Sequence, residues 1–76
     1  MTIRLSTWLA LRCKEPEFRE FLRVPDEPTA VRVVRALCDV QSRAEVDSDP
    51  KAAERCHSLI RKPYAAFIHE RSITHV

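Results

Sequence analysis

Between Ala30 and Cys38 the apolar positions fall at Ala30, Val33, Val34, Leu37 and Cys38. This spacing puts them on one side of an α-helix, and Arg32, Arg35 and Asp39 lie away from it. Arg35 and Asp39 are four apart and can pair, although in the weaker orientation. Asp26 suits the N-cap of this helix, and Pro28 suits its first turn. Two shorter stretches precede it. From Thr2 to Lys14, Leu5, Trp8, Leu9 and Cys13 share a helical side, with Thr2 or Ser6 as the cap. An extended start through Ile3 and Leu5 is the alternative there. Pro16 opens a second short helix with Phe18, Phe21 and Leu22 on one face. It should end near Arg23 or Val24, because Pro25 disfavours helical geometry in the residue before it.

The second half opens with Ser42 and Glu45, a capping-box pair, and a short helical turn that carries Val46 inward. Asp49-Pro50 then reads as the cap and first residue of another helix, and both Asp47 and Asp49 suit its positive end. In that helix Ala53, Cys56, Leu59 and Ile60 are the expected core residues, and Lys51, Arg55, Ser58 and Lys62 fall on a different face. Pro63 has no N–H to donate and its ring crowds the carbonyl of Leu59, so the helix must kink or end. A final short helix through Tyr64, Phe67 and Ile68 packs back on the core, and residues 71–76 form a tail. These elements predict one all-α domain over residues 1–70, a compact bundle of four to five short helices.

Composition supports that architecture. Seventy-six residues fit a single small domain, 45% apolar and 32% charged. The chain contains 0 glycines, which argues against tight hairpins and against phosphate-cradling loops. The net charge of +2 is small, and ten of the 13 basic residues are arginine. Arginine suits bidentate contacts with carboxylate or phosphate and stacking on aromatic rings. No run reaches the roughly 18 apolar residues of a membrane span, and the interrupted apolar N-terminus does not fit a signal peptide. Cys13, Cys38 and Cys56 are an odd, widely spaced set, read as free thiols in a reducing cytoplasm.

Four kinds of chemistry are conceivable for these residues. Cys56, His57, His69 and His75 lack the spacing of a metal site, and Cys38 and Cys56 fit better as small buried hydrophobes. A Cys56 nucleophile needs a base, and His57 projects about 100° away around the helix. Asp47 and Asp49 are more simply caps than an acid–base pair. The expectation is therefore no enzyme, no cofactor and no metal. The short helix from Ser42 followed by the helix from Pro50 has the outline of a helix-turn-helix, whose reader would present Lys51, Arg55, Ser58 and Arg61 or Lys62 to DNA or RNA. Glu54 interrupts that patch, and a solvated basic face explains it equally. Arg55, Arg61, Tyr64, Trp8 and the Phe18/Phe21 pair are residue types that anchor protein interfaces. For the phenylalanines and Trp8 the simpler reading is core; for Tyr64, beside Pro63, a wet edge fits better.

The stretch from Arg35 to Phe67 resembles a pattern in small accessory proteins of temperate bacteriophages and prophages. Leu37-Cys38, Ser42 through Glu45, Asp49, Ala52-Ala53 and His57 through Tyr64 carry the resemblance, and Leu9 through Leu22 is also similar. The chain departs from the pattern at Cys56, where an aromatic residue is expected. The resemblance implies a class encoded among genes for recombination, replication or counter-defence, with no functional residues to carry over. The leading expectation is a non-enzymatic protein in the bacterial cytoplasm that docks onto a host or phage protein complex, with a defence system such as CRISPR as one target. The alternative is DNA or RNA binding through the basic face from Pro50 to Lys62. The expected contact residues are Lys51, Arg55, Ser58, Arg61, Lys62 and Tyr64.

Overall fold

The computed structural model describes the backbone of residues 3–74 and the side chains of residues 3–72. Its helices are α1 (Leu5–Cys13), α2 (Pro16–Leu22), α3 (Glu27–Cys38), α4 (Pro50–Cys56) and α5 (Lys62–Thr74). A 3₁₀ turn, Arg43–Asp47, precedes α4, and a π turn, His57–Arg61, joins α4 to α5. There is no strand among the described residues, and the chain is an all-α bundle.

Local chemistry starts most of these helices where the sequence predicts. Asp26 accepts the Thr29 N–H at 2.9 Å and opens α3. Asp49 accepts the Lys51 N–H at 3.0 Å and opens α4. Glu45 reaches back to the Ser42 N–H at 2.8 Å, closing the capping box. The ends are less ordinary. With no glycine to use, Arg23 and Asp39 adopt left-handed conformations, φ 60° and 56°, after α2 and α3. Val24 N–H then bonds to Arg19 O and Val40 N–H to Arg35 O, each at 3.0 Å. Both valines fold onto the core and complete a Schellman stop.

The start of α1 corrects the expectation. Its N-cap residue is Arg4, whose side chain makes no capping bond, and Thr2 lies outside the described residues. Asp47, from the 3₁₀ turn, supplies the cap instead. It accepts the Ser6 N–H at 3.0 Å, and the Ser6 hydroxyl donates to its other oxygen. Asp47 therefore serves α1, not α4, and holds the helix that carries Trp8. These bonds from Ser6 lower the Asp47 pKa below its ordinary 3.8. A lowered carboxylate stabilises the fold above its ordinary pKa, and that contribution fades as pH falls through the lowered value. Asp47→Asn should therefore be less resistant to urea than the parent at pH 6, with the difference shrinking at a pH well below the ordinary 3.8. An equal deficit at both pH values would show that the charge of Asp47 is not what caps α1.

Buried residues from every helix and both turns form one core. Leu9, Cys13, Phe18, Ala30, Val34, Cys38, Ala52, Cys56 and Ile60 are fully buried, with Val46 and Tyr64 nearly so. Phe18 is the fully buried member of an aromatic cluster. Its ring meets Tyr64 edge-on at 5.0 Å, Trp8 edge-on at 6.2 Å and Phe21 at 6.0 Å. Arg71 on α5 donates to Glu20 on α2 at 2.7 Å, across the outside of this cluster.

Pro63 does not end the helix. The chain stays helical from 50 to 74, so residues 71–74 are helix where a tail was expected. The π turn just before Pro63 accommodates it, with Lys62 N–H bonding back to His57 O, five residues earlier. Widening also corrects the core face. Ala52, Cys56, Ile60 and Tyr64 are buried at a spacing of four. In an uninterrupted α-helix that spacing drifts by about 40° per step, and the wider π turn takes some of the drift back. The cost falls on Leu59, an expected core residue that is instead 47% exposed. Ala52, not Ala53, is the buried alanine.

Candidate functional site

Elements from opposite ends of the chain build the most developed surface feature. On α1, Trp8 and Arg12 are one turn apart and face the same way. The π turn and α5 bring up Arg61, Tyr64, Ile68 and His69. Together they line an open groove of about 610 Å³, with Glu17 on its rim. The guanidinium carbons of Arg61 and Arg12 lie 5.1 and 5.4 Å from the Trp8 ring centroid. Both are cation–π distances. A second recess of about 300 Å³ lies beside it, walled by Ile3, Leu5 and His57 and again by Trp8 and Arg61. Trp8 and Arg61 therefore form the ridge between two hollows.

Each ridge residue is held from beneath or beside. Trp8 leans edge-on against Phe18 and against Tyr64, the latter at 6.4 Å. Arg61 donates to His57 Nδ1 at 3.3 Å. Arg12 pairs with Glu15 at 3.2 Å, while its Nε is buried with no hydrogen-bond partner. Tyr64 is 7% exposed, so the wet edge expected for it reduces to a strip of groove wall. Burial pushes its hydroxyl above the ordinary value of 10.0, with Glu15 and Glu17 adding to the effect.

The six residues expected to form one contact patch are divided. Arg61 and Tyr64 join Trp8 in the large groove. Lys51, Arg55 and Ser58 line a separate recess with Glu54 and Leu59. Lys62 is exposed on the first turn of α5. Arg55 is turned inward: its Nε donates to the Cys38 carbonyl at 2.7 Å, satisfying the C-terminal end of α3. The helix-turn-helix outline also changes, because its first member is one 3₁₀ turn of 5 residues, not a helix. Arg12 was not among the residues expected at the site. Its spacing of four from Trp8 was the only available signal.

The thiols lie elsewhere. Cys13, Cys38 and Cys56 are free and buried. Burial raises the Cys13 thiol above 9.0. Cys56 is pushed up first by the hydrogen it shares with Cys38 and then by burial, so it is a poor nucleophile. His57 is exposed and engaged with Arg61. Among the described residues, no group of three or more His, Cys, Asp or Glu side chains is placed to hold a metal ion. His75 lies outside those residues. No helix among them is long and apolar enough to cross a membrane. No protein-family model, curated protein or solved structure matches the chain.

Proposed function

We propose that this chain is a non-enzymatic accessory protein of phage type that docks another protein onto its Trp8 groove. One observation carries the reading: a partly exposed tryptophan, flanked by two arginines and backed by Tyr64, sits on a ridge between two hollows. Tryptophan, tyrosine and arginine are the residues that dominate binding energy in protein interfaces, most of all when their backs are already packed. The phage assignment rests on the resemblance of residues 35–67 to small prophage proteins. On that reading the protein works in the bacterial cytoplasm, and its partner is a host or phage complex, defence complexes included.

The distribution of cations favours protein over nucleic acid as the partner. With Arg55 committed to a carbonyl and Arg61 stacked on Trp8, the outer side of α4 retains Lys51 beside Glu54. A phosphate track needs a longer run of free cations than that.

Co-purification from the bacterial host tests the proposal. Arg61→Glu should remove a defined partner while leaving the helical content unchanged, and Lys51→Glu with Lys62→Glu should leave the partner bound. The opposite pattern, together with DNA or RNA binding that weakens steeply with salt, would replace this reading by the nucleic-acid one.

A further inference from the structure

We infer that the segment received by the Trp8 groove is acidic, presenting carboxylates to Arg12 and Arg61 on either side of an apolar side chain. This rests on the docking reading and specifies its chemistry. A guanidinium that lies against an indole uses its face for the contact, and its N–H edge remains directed outward. Arg61 makes no ion pair among the described residues; its side-chain hydrogen bond goes to His57 Nδ1. Arg12 has one carboxylate partner, Glu15. Two like charges are thus held on one ring: Glu15 pairs with Arg12 and Glu17 lines the groove, but Arg61 has no carboxylate partner among the described residues. An incoming carboxylate would relieve that repulsion and make a bidentate, charge-assisted contact.

The walls favour a ligand that carries apolar surface beside its charge. Tyr64, Ala65 and Ile68 give the large groove an apolar side, and Ile3 and Leu5 do the same for the smaller recess. An apolar side chain seated against Trp8 would remove these surfaces from water and strengthen the flanking ion pairs by excluding solvent. Glu17 on the rim disfavours a continuous polyanion such as a nucleic-acid strand, and a peptide can place its carboxylates clear of it. A volume of about 610 Å³ accommodates a few side chains of such a peptide.

Trp8 is the only tryptophan in the chain, so its fluorescence reports on the groove directly. The test begins with selection of random 12-residue displayed peptides on the purified full-length protein. Enrichment of Asp or Glu flanking Leu, Ile or Phe is expected. The best tryptophan-free peptide should then shift Trp8 emission saturably. Its Asn/Gln twin should bind at least about tenfold more weakly, and so should the parent peptide on Arg61→Gln, tenfold corresponding to about 1.4 kcal/mol. Arg61 is exposed, so its replacement leaves the fold measurable. Arg12→Gln provides a second variant, read only where its thermal melt remains cooperative. No enrichment, enrichment of neutral or basic peptides, or equal binding of the Asn/Gln twin would overturn the inference. So would tighter binding of a thymidine 12-mer than of the selected peptide. If the inference fails while Trp8→Ala still releases the cellular partner, the docking reading stands with a different chemistry. If Trp8→Ala retains that partner, the docking reading itself falls.

Discussion

Phe18→Ala is expected to remove about 3–5 kcal/mol of folding stability, the largest loss of any single truncation in this domain. Phe18 is fully buried, and its ring touches Trp8, Phe21 and Tyr64. Alanine would leave a cavity walled by three other aromatic residues on three different helices. Those rings are fixed by further contacts, Phe21 with Tyr64 at 5.3 Å and with Phe67 at 5.5 Å, so the site can collapse little. A domain of this length has a stability of roughly 4–11 kcal/mol. A loss of about 3–5 kcal/mol from that should lower the urea midpoint sharply and populate unfolded chain at physiological temperature. Phe18→Leu keeps most of the volume and should lose much less. A Phe18→Ala loss under about 1 kcal/mol would show that the aromatic cluster is not the centre of the core.

Trp8→Ala should instead affect binding most. The indole joins two functions: its edge packs on Phe18 and Tyr64, while its ring receives Arg12 and Arg61. Truncation removes the ridge between the hollows and releases both guanidiniums. A hot-spot residue of this kind contributes about 2 kcal/mol or more, so partner affinity should fall about thirtyfold or further. Some stability should also be lost, because the side chain is half-buried. Trp8→Phe separates the two effects. It keeps the edge contacts and a smaller ring for the arginines, so its stability should approach the parent while its affinity lies between parent and alanine. Titration of the purified partner, alongside denaturation of each variant, measures both. Equal affinities for all three proteins would place the binding surface elsewhere.

Legibility in the sequence tracks the range of the interactions. The starts of α3 and α4 and the 3₁₀ turn are written within a few residues, as Asp26 with Thr29, Asp49 with Pro50 and Ser42 with Glu45. The apolar stripe of α3 is local too, and Ala30, Val34 and Cys38 are buried as expected. Interactions between distant residues were not legible. Asp47 caps a helix 41 residues upstream, and local spacing assigned it to the nearer one. Arg55 reads as surface charge until α3 ends beneath it and presents the Cys38 carbonyl. Pro63 signals a break, but the choice between ending the helix and widening it depends on keeping Ile60 and Tyr64 on one buried line. That choice also turned Leu59 outward.

The site was half legible for the same reason. Arg61 and Tyr64 stood out as interface types near a proline, and Trp8 stood out by type alone. Only the fold shows that α1 and the π turn meet, making one feature of residues from both ends of the chain. The basic face of the Pro50 to Lys62 stretch was a projection onto a regular helix. The π turn rotates the residues at and beyond it, and Arg61 leaves the side occupied by Lys51.

The claim that this protein acts by receiving another protein at Trp8 is tested most directly by site-specific photocrosslinking in host cells. A benzophenone amino acid is placed at Ala65, on the groove wall, and in a second protein at Ser58, in the recess that holds Lys51. The account predicts a single discrete protein adduct from position 65 that disappears with Arg61→Glu, and none from position 58. An adduct from position 58 alone, or crosslinks to nucleic acid from either position, would contradict it.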